Sequence, residues 1–191
     1  IYTTGVYLDL YGELEEPGIS INSELPSSLV EDKLRAQQSF RKEKQILFGD
    51  THVHTTYSTD AFLWSLPILN GEGPHPISDA CDFARFCANL DFWVSTDHAE
   101  ALTPRKWKSI KEAVRNCNNP TDSSEPDLVT FLGYEWTQVG DTAQNHYGHK
   151  NVMFRDIEVN KVPKRPIGAG GIATNGMRDS LPGQSKQLRP A

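Results

Sequence analysis

The alternation of strand-like and helix-like patterns between residues 46 and 154 constrains the fold of this chain most strongly. Three short apolar segments, ILFGD at 46–50, DFWVSTDH at 91–98 and LVTFLGYEW at 128–136, have the length and composition of buried strands. KNVMF at 150–154 predicts a fourth strand. Because helical patterns separate the first three, the order strand–helix–strand–helix–strand predicts an α/β fold built on a parallel sheet.

The two helical patterns differ in how clearly they are marked. The first, at 76–90, carries small or apolar residues at 77, 80, 81, 84, 87 and 88. In the second, at 103–117, Thr103 is a suitable N-cap and Pro104 fits the first helical position. The predicted buried face of this second helix consists of Trp107, Ile110, Val114 and Cys117.

The regions on either side of this alternation show weaker patterns. Residues 1–45 are assigned to an N-terminal extension with a polar helix at 27–45, in which Ser28 is the expected N-cap. Residues 46–154 form the predicted main domain. Residues 155–191 are rich in Gly and Pro and are expected to be mostly loop, continuing into chain beyond this sequence.

Side chains able to bind metal ions fall where the predicted strands end. The carboxyl ends of neighbouring parallel strands meet at one edge of a sheet, so these side chains are expected to converge. In an extended chain, residues i and i+2 point to the same side, so His52 and His54 can aim two imidazoles at one point. The residues at the strand ends are Asp50, His52 and His54 after the first strand, Asp97 and His98 after the second, Glu135 at the third, and His146 and His149 before the fourth.

The chemistry of this set favours particular ions. Imidazole nitrogens and carboxylate oxygens together suit zinc, manganese or iron, whereas calcium prefers oxygen ligands alone. Asp60, in the loop expected after the first strand, can fold back to add a further carboxylate. The sequence therefore predicts a site for divalent metal ions.

Several polar and aromatic residues have a simpler interpretation. Asp97 is expected to orient His98 or a neighbour, or to bind metal directly, and Asp50 to do the same or to cap its strand. His75 is interpreted as a loop residue. The tryptophans 93, 107 and 136 are interpreted as core or pocket wall. The three cysteines, Cys81, Cys87 and Cys117, are odd in number and form no CxxC motif, so they are interpreted as small buried residues rather than a disulfide framework.

Four segments of the sequence, GDTHVHTTYSTDA, LDFWVSTDHAE, FLGYEWT and HKNVMF, together resemble the PHP (polymerase and histidinol phosphatase) superfamily of metal-dependent hydrolases. Within it they are similar to a bacterial branch defined as a domain of unknown function. The resemblance implies a distorted (β/α)7 TIM-like barrel with two or three metal ions at the carboxyl ends of the strands. The ligands it implies are His52, His54, Asp60, His98, Glu135 as a bridging carboxylate, and His149, with His146 as an alternative to His149.

The sequence departs from this superfamily in its later part. Members carry a further His and an Asp-x-His pair late in the barrel, and neither follows His149 here. Each βα unit takes ~30 residues or more, and only residues 155–191 remain after the fourth strand. We therefore expect this chain to contain only the N-terminal part of such a barrel.

These observations together predict a metal-dependent hydrolase, most simply a phosphoesterase acting on a small phosphorylated substrate. His98 and Glu135 are the predicted catalytic residues, with His98 or an uncoordinated His protonating the leaving group. Hydrolysis of an amide or ester and a non-catalytic metal-binding fragment remain as alternatives. A nucleic-acid substrate is disfavoured, because the net charge is −6 and no basic, aromatic-interleaved stretch is present.

The sequence says little about where the protein works. No run of 18 apolar residues occurs, so no membrane-spanning helix is predicted. The compartment stays open between periplasmic or secreted and cytoplasmic, with a bacterial source favoured by the resemblance alone.

Overall fold

A single four-stranded sheet organises the part of the chain that the computed structural model describes, residues 18–38, 46–118, 126–138 and 142–168. The strands lie side by side in chain order. The first three are parallel, as the alternation predicted, and the fourth is antiparallel to the third. The strands are β1 (Gly49–Val53), β2 (Phe92–Ser95), β3 (Val129–Gln138) and β4 (Gly148–Phe154).

Helices connect the parallel strands and precede the first of them. A short 3-10 helix, Pro67–Leu69, follows the second α-helix, and another, Ala99–Ala101, follows β2. None of the helices in the described part of the chain has the length and apolarity that crossing a lipid bilayer requires. The α-helices are α1 (Ser27–Gln38), α2 (Thr59–Ser65), α3 (Ile77–Asp82) and α4 (Pro104–Cys117).

The predicted (β/α)7 barrel is wrong. The described residues form a small mixed α/β fold, with four α-helices and a curled half-barrel sheet of four strands. The parallel pattern stops at β3, because its second half pairs with the antiparallel β4, from Leu132 opposite Phe154 to Gln138 opposite Gly148. An antiparallel neighbour can follow after a short connection, whereas each parallel step requires a crossover.

Helix α4 matches its prediction closely. Thr103 caps it, since its Oγ1 accepts a hydrogen bond from the Lys106 backbone N–H at 3.2 Å, and Pro104 opens the first turn. The predicted face is buried, with Trp107 and Ile110 fully inaccessible to solvent. This face packs against β3 in the larger core cluster, which also contains Tyr57, Ile77, Ala99, Leu102, Ala113, Val114, Leu132, Tyr134 and Val162.

Helix α3 departs from its predicted stripe where it continues as a π-helical turn, Phe83–Cys87. The Ala88 N–H donates to the Phe83 carbonyl five residues back, at 2.8 Å. Because such a turn takes more residues than an α-helical turn, it rotates the following side chains. Cys87 and Ala88 are therefore exposed, while Arg85 is buried and donates hydrogen bonds to the Asp127 carboxylate.

A disulfide joins Cys81 of α3 to Cys117 of α4. Both cysteines are buried, as predicted, but the expectation that they are unpaired is wrong. They are 36 residues apart in sequence, and only the packing of α3 beside α4 brings them together. The disulfide belongs to the smaller core cluster, with Ala84, Trp93 and Leu128.

Helix α1 is attached to the domain by polar contacts rather than by an apolar face. It ends at Gln38, residues 39–45 of the predicted helix lie outside the described residues, and none of its residues is buried. It begins at Ser27, so Ser28 lies in its first turn and is not its N-cap as predicted. Lys33 Nζ donates to the carbonyl oxygens of Leu90 and Asp127, each at 2.7 Å.

Candidate metal centre

Strand β1 delivers two imidazoles to one point, as the spacing of the motif predicted. His52 lies within β1 and His54 directly follows it, and their Nε2 atoms are 2.9 Å apart. The pairing of β1 with β2 is irregular between Asp50 and Val53. Asp50 supports this bend, since its Oδ1 accepts a hydrogen bond from the His52 N–H at 2.9 Å. Asp50 therefore orients its neighbour His52 and does not belong to a ligand group.

Glu135 lies at the centre of the site and is almost fully buried, at 2% exposure. Its Oε2 is 3.0 Å from His52 Nε2 and 2.8 Å from His54 Nε2. Its Oε1 contacts His149 Nδ1 on the other side. Glu135 lies within β3 rather than at its end, because the pairing with β4 extends the strand to Gln138. One carboxylate thus faces two groups of imidazoles.

His98 and Asp60 lie on the side of the cluster nearest α2. His98 Nε2 is 3.4 Å from Asp60 Oδ2 and 3.8 Å from Glu135 Oε2. Asp60 Oδ1 is 3.3 Å from His54 Nδ1. Asp60 was expected in a loop, but it occupies the first turn of α2, a helix that the sequence did not predict.

His149 comes from β4, where it pairs with Thr137 of β3. Thr137 was not predicted to take part in the site. Its Oγ1 lies 3.0 Å from His149 Nδ1 and 3.4 Å from His98 Nδ1, so it links the two imidazoles. The signal that could have identified it is its position two residues after Glu135, on the same side of an extended strand.

The structure brings all six predicted ligands together. Three overlapping groups each have one ligand atom per residue within 4.8 Å of the others. Neither His146 nor His75 belongs to a group found among the described residues, and His75 instead lies 3.1 Å from Asp79. The three groups are His52, His54 and Glu135; His54, Asp60 and His98; and His98, Glu135 and His149.

The arrangement of the nitrogen and oxygen atoms of His52, His54 and Glu135 suits binding of a shared cation better than hydrogen bonding among the three side chains. If His52 and His54 both donated Nε2–H to Glu135 Oε2, the two N–H groups would face each other across only 2.9 Å. A cation in the gap would let all three atoms present lone pairs to the same point. Ligand atoms around a tetrahedral zinc lie roughly 3.3–3.6 Å apart. The separations of His98 from Asp60 and Glu135, 3.4 and 3.8 Å, are close to this range, and those among His52, His54 and Glu135, 2.8–3.0 Å, are shorter.

The carboxylates of the cluster favour their ionised forms. Burial by itself raises the pKa of Glu135, but the hydrogen bond from His52 and the neighbouring His98 outweigh it, so the pKa lies below its ordinary value. For Asp60, burial likewise raises the pKa, while the Ala61 N–H and His54 lower it further than burial raises it. In this form they offer anionic oxygens, which bind divalent cations together with neutral imidazole nitrogens.

Asp97 does not belong to the ligand groups but holds the loop between His54 and α2. It is fully buried and accepts hydrogen bonds from the Thr55 N–H (2.6 Å), the Thr55 hydroxyl (2.9 Å) and the Ser58 hydroxyl (3.0 Å). Ser58 Oγ in turn accepts from the His98 N–H at 2.8 Å. Burial raises the pKa of Asp97, and the hydrogen bonds from Thr55 and Ser58 oppose that rise.

The fold and the cluster define an α/β domain with a histidine–carboxylate site where its parallel strands end. A family model described as "Protein of unknown function (DUF3604)" matches residues 41–106 and 80–176, which together exceed half of the chain. The chain belongs to this family. The family description assigns no activity and does not place the chain in the PHP superfamily. No curated protein and no solved structure matches the chain.

Proposed function

We propose that this domain is a metal-dependent hydrolase that cleaves phosphoesters. The observation that carries the proposal is the convergence of six candidate ligands, from strands β1, β3 and β4, helix α2 and the loops after β1 and β2. Membership of the PHP superfamily is part of the same proposal. It is supported by the order and spacing of the segments around His52, His98, Glu135 and His149.

The residues divide into two sets that share Glu135. His52, His54 and Glu135 would hold one ion, and His98, Glu135 and His149 would hold a second, while Asp60 would add a ligand beside His54 and His98. Zinc, manganese or iron suits this set. Bound divalent ions would supply a water of lowered pKa and positive charge for the phosphoryl oxygens.

The chain's own residues have distinct roles in this proposal. Glu135 is held in place by β3 and fixes the spacing of the two sets, and its lowered pKa keeps it anionic at neutral pH. His98 lies between His54 and His149, with ring centroids 4.8 and 5.7 Å away. It is therefore within reach of both sets, and we assign the transfer of a proton to the leaving oxygen to His98 when it binds no ion, or to another imidazole of the cluster that is not coordinated.

The proposal is tested by metal analysis and activity on one set of preparations. Wild-type protein, the double variant His52→Ala/His54→Ala, and His146→Ala as a control outside the ligand groups are each exposed to zinc, manganese or iron and desalted. Mass spectrometry of bound metal and hydrolysis of phosphate mono- and diesters are then measured. Wild-type protein and the control should bind metal and hydrolyse a phosphoester, and the double variant should do neither.

Each contradictory outcome has its own meaning. A double variant that keeps stoichiometric metal contradicts the ligand assignment. Wild-type protein that cleaves carboxylic esters or amides but no phosphoester contradicts the proposed reaction. Metal bound without hydrolysis of any of these substrates indicates a non-catalytic metal-binding domain.

A further inference from the structure

A cleft of about 590 Å³ opens directly beside the metal centre. We propose that it binds the non-reacting organic part of the substrate, and that this part is apolar and carries no negative charge. This inference rests on the proposed function and adds a substrate class to it: phosphoesters of aryl or alkyl alcohols, neutral or cationic, rather than nucleotides or sugar bisphosphates.

The cleft is continuous with the ligand cluster. His54 belongs to two of the ligand groups and also lines the inner end of the cleft, with Thr55 beside it. The next residue, Thr56, links this part of the lining to the segment before α3, since its hydroxyl donates a hydrogen bond to the His75 carbonyl at 3.0 Å. A phosphoryl group at the cluster would therefore direct its ester substituent into this space.

The far wall of the cleft presents apolar side chains to solvent. Phe83 is 64% exposed and Ile21 51% exposed, and Phe86 and Pro76 also line the wall. The π-helical turn after α3 explains this exposure, because it buries Arg85 in the domain and leaves Phe83 in the cleft. Exposed aromatic surface in a concave site beside polar groups is typical of ligand binding.

Carboxylates outnumber cationic groups along the cleft. Glu72, Asp79 and Asp82 line it, and no Lys or Arg is among the described residues that do so. The imidazoles of His54 and His75 also line it, and His75 Nδ1 lies 3.1 Å from Asp79 Oδ2. Burial raises the pKa of Asp82 above its ordinary value, and Asp79 adds to the rise, while the hydrogen bond from the Ile21 N–H and the charge of Arg85 oppose it. A second anionic group on the substrate would be repelled here, whereas an ammonium group would be attracted to the carboxylates and to the aromatic rings.

Binding of non-hydrolysable probes tests this without depending on catalysis. Phenylphosphonate, its 4-aminomethyl derivative and its 4-carboxy derivative are titrated into metal-loaded protein by calorimetry, with methylphosphonate as the probe that lacks the ring. The aminomethyl and unsubstituted probes should bind at least about tenfold more tightly than the carboxy probe. Methylphosphonate should bind more weakly than phenylphosphonate.

Two variants assign the effect to the cleft. Phe86→Ala should weaken phenylphosphonate binding and leave methylphosphonate binding unchanged, and Asp79→Asn should reduce the discrimination between the aminomethyl and carboxy probes. Equal affinities for the three aryl probes, or wild-type behaviour in both variants, would overturn the proposal. The latter result is also expected if another protein segment occupies the cleft.

The probe titrations, taken together with the hydrolysis assays of the proposed function, separate this inference from that function. Discrimination among the probes without hydrolysis of any phosphoester supports the cleft assignment and contradicts the phosphoesterase. Hydrolysis that is indifferent to the charge of the leaving group and to Phe86 supports the phosphoesterase and contradicts the cleft assignment.

Discussion

At the scale of single residues, Glu135 is the side chain on which the candidate site depends most. It is the only member of the cluster that contacts His52, His54 and His149 together among the described residues. Glu135→Gln keeps the size of the side chain and removes its charge. We expect metal affinity to fall by more than the ~10–100-fold typical of an outer-shell partner. Calorimetric titration with zinc or manganese measures this, with the exposed Glu158→Gln as control.

The same variant has a defined pH dependence in the metal-free protein. The pKa of Glu135 in the folded state is below its ordinary value of 4.5, so the unfolded state takes up the proton first as the pH falls. The carboxylate therefore contributes its full stabilisation above a pH of about 4.5, and this contribution is lost as the pH falls through the folded-state pKa. Urea unfolding at pH 6, 5, 4 and 3 should show the wild-type and Glu135→Gln stabilities converging at low pH. A constant difference would contradict this.

Asp97 provides a second test at this scale, because it acts through other residues. Asp97→Asn places an amide N–H₂ against groups that already donate, the Thr55 N–H and the hydroxyls of Thr55 and Ser58. We expect a loss of about 1–3 kcal/mol in the free energy of unfolding. We also expect metal affinity to fall ~10–100-fold, since Asp97 ties the loop that follows His54 to the loop that contains His98. Metal affinity equal to wild type, measured under conditions where the variant is folded, would limit Asp97 to a purely structural role.

Sequence reasoning identified the residues that cluster at the candidate site but not the residues that position them. His52 and His54 were found because the chain has only six histidines, and Glu135 because it lies at the end of another predicted strand. Thr137 and Ser58 act through hydroxyls that are common everywhere in sequences, so their roles depend on strand pairing and loop geometry. Asp97 was assigned two possible roles, and only the hydrogen bonds to Thr55 and Ser58 distinguish them.

At the scale of elements, α4 was predictable because local signals agreed. Its cap, its proline and its apolar face all lie within one stretch of chain. The π-helical turn after α3 was not predictable, because the burial of Arg85 depends on Asp127, which is 42 residues away. Strand β1 was predicted to begin at Ile46 but begins at Gly49, and the apolar residues before it are exposed. Apolar content alone therefore misplaced the strand.

The disulfide between α3 and α4 makes a prediction about the stability of these two helices together. For a separation of 36 residues, removing the cross-link should cost about 4 kcal/mol in the free energy of unfolding. Urea unfolding compares wild-type protein, the reduced protein and Cys81→Ala/Cys117→Ala. The control Cys87→Ser should match wild type, because Cys87 is exposed and unpaired. Equal stability with and without reductant would show that the cysteines are not bonded in solution.

At the scale of the whole molecule, the site was more predictable than the fold. The rule that ligands gather where parallel strands end requires only that β1, β2 and β3 be parallel neighbours, and they are. The barrel required the same pattern to continue, and β4 reverses direction instead. His149 reaches the cluster through this reversal, because antiparallel pairing places it opposite Thr137, two residues from Glu135.

The distribution of the ligands over the molecule makes a last prediction. They come from β1, α2, the loop after β2, β3 and β4, so an ion bound by them would link elements far apart in sequence. At a free metal concentration of 100 times Kd, binding should add about 2.7 kcal/mol to the free energy of unfolding. For a chain of 191 residues this corresponds to a rise in Tm of about 5–10 °C. Thermal unfolding with zinc or manganese, before and after chelation, measures the rise. His146→Ala should retain it and His52→Ala/His54→Ala should lose it; an equal rise in both variants would show that metal binds elsewhere.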